Sequence, residues 1–143
     1  MGSPEPPLRY ERSEYFAEEI SKQAANNSIT MDILLEVNIG SEESKTGFDK
    51  IAFLESLSKI SELPNLNVKG IMTIPPICEN CEQICNYFNK MHKLFIDIEA
   101  KNIDNIDMVY LSMGMSSDYY EAILCGANIV RVGTSLFGRR NYN

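Results

Sequence analysis

Two short stretches near the end of the sequence carry residue types suited to gripping an anion: 110-YLSMGMSSDYY-120 and, shortly after it, 130-VRVGTSLFG-138. Each sets glycine and hydroxyl residues straight after an apolar run. Small residues let backbone N–H groups approach a charged oxygen, and Ser116 and Thr134 add hydroxyl donors. A helix beginning after such a loop offers unpaired N–H groups and the positive end of its dipole. Glycine and serine also serve as turn and capping residues with no ligand involved, so the two loops together, in this order, carry the reading. The chemistry they fit is the holding of a phosphoryl group.

A second cluster, 78-CENCEQIC-85, has thiols at a spacing that can converge on zinc or an iron–sulfur centre. Closing such a site takes a fourth ligand. His92 lies two helical turns beyond Cys85, so sharing a metal with it would need backbone movement, and Cys125 is remote in sequence. Small, half-buried cysteines of an intracellular α/β domain are the simpler account, and no metal site is assigned.

The elements that must position the two loops follow from periodicity. The stretch 14-EYFAEEISKQAANN-27 reads as a helix with Ser13 as N-cap and Phe16, Ile20 and Ala24 on its apolar side. Next, 31-MDILLEVNIG-40 is too continuously apolar for a one-sided sheet and reads as a strand covered on both faces. A helix follows over 48–60 with Ile51, Leu54 and Leu57 at helical spacing, then the strand 68-VKGIMTIPP-76, stopped by two prolines. Over about 80–101, Ile84, Phe88, Met91, Phe95 and Ile98 form one stripe. The strand 107-DMVYLSM-113, a short helix 117-SDYYEAILC-125 closed by Gly126, and the strand 128-NIVRVGT-134 complete the pattern.

Strands alternating with helices imply parallel strands joined by right-handed crossovers. The fold class expected is α/β: four strands and four helices, forming half of a TIM-type (β/α)8 barrel or else a small open doubly wound sheet. With 143 residues and 44% apolar content there is enough for one core. The net charge of −7 leaves no basic stripe for nucleic acid, and no apolar run approaches the roughly 18 residues of a membrane span. Residues 1–12 read as a flexible or cloning-derived segment ahead of a domain over 13–143; Gly2 is followed by Pro6, where a myristoylation signal wants Ser or Thr. A cytoplasmic location is expected.

From about Phe16 onward, and most clearly in 34-LLEVNIGSEESKTGF-48, 70-GIMTIP-75, 111-LSMGMSSD-118 and 130-VRVGTSLFG-138, the sequence resembles the pyridoxal-phosphate homeostasis proteins. The resemblance implies an alanine-racemase-like barrel of which this chain matches the C-terminal half. It implies pyridoxal 5'-phosphate as cofactor, or phosphate or sulfate in its place. Ser116, Gly133 and Thr134 would then hold the phosphate with backbone help from Gly114 and Met115, and Arg131 would face the pyridine nitrogen. Guanidinium is donor-only and permanently charged, so a ring nitrogen meeting it stays an unprotonated acceptor. A solvated or ion-paired arginine at a strand end is the alternative for Arg131. Met72 either walls the ring or packs in the core, and Lys45 is either a family motif position or a surface lysine.

In that family a lysine on the first barrel strand holds the cofactor aldehyde as a Schiff base, and no strand here matches it. Lys22, Lys50, Lys59, Lys90, Lys93 and Lys101 fall on expected helices, and Lys69 at the start of an expected strand. The expected function is therefore cofactor binding without catalysis, with no catalytic residue assigned. An alanine-racemase-like enzyme fragment and a ligand-free self-assembling half-barrel are the alternatives. Unpaired sheet flanks point to a homodimer or larger assembly.

Overall fold

A four-stranded, wholly parallel sheet runs in the order β1-β2-β3-β4, with β1 Met31–Glu36, β2 Leu66–Met72, β3 Ile106–Met115 and β4 Ile129–Arg131. The structure, a computed structural model, describes residues 9–39 and 50–138. Helices α1 (Arg9–Asn26), α2 (Lys50–Ser61), α3 (Cys81–Lys101) and α4 (Tyr119–Leu124) each precede or link strands, and a five-residue α5 (Gly133–Phe137) follows β4. Strand order that equals chain order decides between the two expected architectures. A doubly wound sheet reverses at a switch point, and this sheet does not. With right-handed crossovers its connecting helices fall on one face, which is the arrangement of half an eightfold βα barrel.

Local sequence explains the best-defined helix. The Asn80 side chain accepts the Gln83 amide at 2.9 Å, while Gln83 Oε1 accepts the Glu79 amide at 2.9 Å, so two donors at the start of α3 are satisfied. Ile84, Phe88, Met91 and Ile98 are buried, Phe95 packs beside them, and the helix stops at left-handed Asn102. This stripe meets Leu111 and Met113 of β3 in the core, where all but Ile84 and Phe95 have almost no exposed surface. Truncating such a residue to alanine costs about 3 kcal/mol or more. The end of α4 is fixed by Gly126 at φ +110: its amide donates to Ile123 O and that of Ala127 to Ala122 O. These two bonds are the Schellman pattern that glycine just past a helix permits.

Several expectations give way. α1 begins at Arg9, so Ser13 lies inside the helix instead of capping it, and residues 9–12 of the expected N-terminal segment are helical. Its buried face is Ala17, Ser21 and Ala24, not Phe16 and Ile20, which are exposed. Small residues let α1 approach its neighbours, and Ser21 donates its hydroxyl to Pro64 O. β1 is covered on one face only: it is an edge strand, with Met31, Asp32 and Glu36 exposed and Leu35 buried. β2 starts at Leu66, which places Lys69 at mid-strand, paired with Asp107 at 3.3 Å. β3 runs through Met115, absorbing most of what the sequence suggested as a loop.

The strands make close contact where β2 meets β3. A Cβ on Gly70 would lie 1.9 Å from Tyr110 O, so only glycine fits there. On the face away from the helices, Asn67 donates to Asp32 and Lys69 pairs with Asp107, while Val109 and Tyr110 stay exposed. A groove of about 380 Å³ opens between α1, β1 and α2, lined by Phe16, Ile20, Leu34 and Phe53 among others. Among the described residues no helix is long and apolar enough to cross a membrane.

Candidate functional site at the strand tips

The C-terminal ends of β3 and β4 lie side by side, with Ser112 opposite Ile129 and Met115 opposite Arg131. Three steps along β3 thus match two along β4, a bulge of the kind that re-aims side chains next to binding sites. Gly114 sits inside it at φ +100, and a Cβ there would stand 2.6 Å from Ala122 Cβ. The glycine therefore does two things: it adopts the turn and lets α4 press against β3. Asn128 stitches the approach from below, accepting the Leu111 amide at 2.8 Å and donating to Val109 O at 2.7 Å.

Past Met115 a tight turn over 116–118 leads into α4. The Asp118 carboxylate accepts the Met115 amide at 2.7 Å, and the Asp118 amide returns to Met115 O at 3.2 Å. Met115's N–H is therefore engaged within the chain, and Gly114 serves both the turn and the packing of α4. Ser116 is half-buried, whereas Gly133 and Thr134 are exposed on the first turn of α5, whose N-cap position, Val132, makes no side-chain capping bond. The register of β3 against β4 brings these residues to neighbouring tips.

Arg131 does not extend into solvent. Its Nη2 donates to Thr73 O at 2.9 Å, across the end of β3, and so places the guanidinium beside the end of β2 where Met72 lies half-buried. Arg131 Nε is buried and has no partner among the described residues. The partner its guanidinium does have there is a neutral carbonyl, neither solvent nor a carboxylate. Thr73 in turn is fully buried, donates its amide to Ser112 O (3.0 Å) and its hydroxyl to Val37 O (2.6 Å). The sequence reading passed over Thr73 and Asp118. Thr73 stood inside the quoted GIMTIP stretch, and its hydroxyl just before two near prolines was the available signal. Lys45 and residues 40–48 of the first family motif lie outside the described residues.

The cysteines diverge. Cys78 Sγ donates to Pro76 O at 3.2 Å, Cys81 to Glu121 Oε1 at 3.5 Å, and Cys85 neighbours Cys125. Glu121, by its hydrogen bond and its negative charge, raises the Cys81 thiol from its ordinary 9.0; burial first, then Cys85, raises that of Cys125. Among the described residues no group of three His, Cys, Asp or Glu is placed to hold a metal.

Sequential parallel strands with a bulged tip beside a tethered arginine define half of a parallel βα barrel. The chain belongs to the family alanine racemase, N-terminal domain, which it matches over residues 12–141. Within that family it is similar to a protein from Aquifex aeolicus named pyridoxal phosphate homeostasis protein, at 46% identity over 126 residues, covering 88% of this chain and 54% of that one. Its structure is similar to the crystal structure of an unknown protein from Bifidobacterium adolescentis (38% identity, TM-score 0.78, 87% and 50% of the two chains). It is also similar to PipY of Synechococcus elongatus PCC7942, solved with PLP bound (27%, TM-score 0.74, 85% and 56%). The chain spans about half the length of the curated relatives it matches. The resemblance drawn from the four motifs therefore stands.

Proposed function

We propose that this chain binds pyridoxal 5'-phosphate, as a homeostasis protein that holds the cofactor without transforming a substrate. The observation that carries the reading is Arg131, whose buried Nε–H lacks an acceptor among the described residues while its other end is tied to Thr73. A buried donor left in that state is rare and costly, by about 1–3 kcal/mol, and a ring nitrogen is an acceptor of the right kind to relieve it. The residues present thus fit the group. Ser116, Gly133 and Thr134 hold the phosphate, Arg131 meets the ring nitrogen, and Met72, next to Thr73, borders the ring. Gly114 and Met115 shape the tip, the Met115 amide being held by Asp118.

When bound, the cofactor supplies a reactive aldehyde and an electron-accepting ring. Arg131, permanently charged and without an acceptor of its own, keeps the nitrogen opposite it unprotonated, which weakens the ring as an electron sink and favours holding over turnover. The described lysines support the same reading: Lys22, Lys50, Lys59, Lys90, Lys93 and Lys101 lie on helices, and Lys69 faces Asp107. An acidic chain with no described helix fit to cross a bilayer suits a cytoplasmic carrier.

Absorbance titration with pyridoxal phosphate tests this, with inorganic phosphate as competitor. Saturable binding displaced by phosphate is expected, and R131M should weaken pyridoxal phosphate about tenfold while sparing phosphate. No spectral change and no thermal shift with either ligand would refute the reading.

The chain further assembles with itself in this reading, as a homodimer. β1 has no strand on its outer side among the described residues, and the adjoining groove exposes Phe16 and Ile20. Parallel sheets are ordinarily covered on both faces, and an open edge is a template for pairing. Sedimentation across a concentration series should show association; a monomer throughout refutes it.

A further inference from the structure

Thr73 lies just beyond β2 with no exposed surface, and each of its polar groups is used by a different strand end. Its amide donates to Ser112 O of β3 at 3.0 Å, its hydroxyl donates to Val37 O past β1 at 2.6 Å, and its carbonyl accepts Arg131 Nη2 of β4 at 2.9 Å. Turning this residue would break all three bonds, so its carbonyl is a fixed acceptor. An arginine side chain is otherwise rich in rotamers, and its guanidinium is planar. With its Cα held in β4, anchoring one Nη to a fixed point therefore restricts the directions in which Nε–H can aim. That N–H is buried and has no acceptor among the described residues.

We propose that Thr73 is a positioning residue: by holding Arg131 through its carbonyl it aims Nε–H, and so selects ligands whose aromatic ring carries an unprotonated nitrogen. The hydroxyl is what locks it. Residue 73 lies outside the strand proper, and without the bond to Val37 O its tether to β1 is lost, the carbonyl gains freedom and Arg131 moves with it. The inference rests on the cofactor reading but adds a residue that touches no ligand, and it concerns selectivity more than affinity.

The full chain and its T73V and T73S variants would be titrated with pyridoxal 5'-phosphate, with its 1-deaza analogue, in which carbon replaces the ring nitrogen, and with inorganic phosphate. Wild type is expected to prefer the nitrogen ring about tenfold or more, since a hydrogen bond to a charged group is at stake, and T73V to prefer it by about threefold or less. T73S, which keeps the hydroxyl, should retain the preference, and phosphate affinity should be the same in all three. Should T73V fail to fold, T73A removes the hydroxyl without placing a methyl against the Val37 carbonyl. An unchanged preference in T73V or T73A overturns the proposal, as does a T73S that loses it equally. Wild type that binds both ring compounds equally overturns the aiming of Arg131 while leaving cofactor binding intact. Wild type that binds none of the three ligands overturns the cofactor reading and this inference with it.

Discussion

Gly114→Ala is the substitution whose effect can be worked most fully from the geometry. A methyl at this position stands 2.6 Å from Ala122 Cβ and 3.2 Å from Tyr119 Cα, so α4 must retreat from β3 by roughly 0.8 Å to regain ordinary contact. Overpacking of this kind costs about 1–3 kcal/mol. The backbone at φ +100 adds about 1–2 kcal/mol for a side chain that rarely adopts it. The reduced freedom of the unfolded chain returns about 0.4–1 kcal/mol, leaving a net loss of roughly 1–4.5 kcal/mol. At about 3 °C per kcal/mol for a chain of this size, the melting temperature should fall by roughly 3–14 °C, read by circular dichroism. Gly133→Ala is the matched control. Nothing lies within 4 Å of its added methyl, and the change should stay within about 0.5 kcal/mol. Ligand binding should respond in the opposite order, since Gly133 is assigned to the phosphate and Gly114 to packing. If G114A melts within about 2 °C of wild type, or G133A falls as far as G114A, the account of the bulge is wrong.

Three further outcomes follow from single residues. Asn128→Ala removes the acceptor for the Leu111 amide and the donor to Val109 O, and should lower the urea midpoint by the equivalent of about 2 kcal/mol without changing the slope. Asn80→Ala should cost α3 about 1 kcal/mol by uncapping the Gln83 amide, measured the same way. Glu121→Gln takes away the negative charge that holds the Cys81 thiol protonated, so iodoacetamide should label Cys81 faster at pH 8 to 9 in the variant than in wild type; equal rates would dismiss the Cys81–Glu121 contact.

How much of this was legible beforehand depended on whether a segment's fate is decided locally. The α3 stripe and the glycine that ends α4 are set by residues a few positions apart, and both appear as read. α1 is different. Phe16 and Ile20 look like its core face, but which face is buried depends on what stands opposite. Here the close approach goes to Ala17, Ser21 and Ala24, while the bulkier pair borders the groove beside an edge strand. The extent of β3 was hidden for a related reason. Ser112–Met115 has the composition of a loop, and it continues as strand because Thr73 and β4 supply partners from outside its own neighbourhood.

The site shows the same division. Glycines and hydroxyls after apolar runs located the two tips, but nothing local indicates that Met115's amide is taken by Asp118, or that Arg131 reaches across β3 to a carbonyl 58 positions earlier. These long-range bonds also bear on why half a barrel can present a formed tip at all. Val37, Thr73, Ser112 and Arg131 tie the ends of all four strands to one another, and each donor and acceptor in that chain comes from within this half. In the proposed reading, the geometry that would face a phosphate and a ring nitrogen therefore does not wait on strands contributed from elsewhere. What a second half would add is cover for the exposed edge of β1 and the open sheet face carrying Val109 and Tyr110, so its arrival should raise stability far more than it changes the selectivity of the tip.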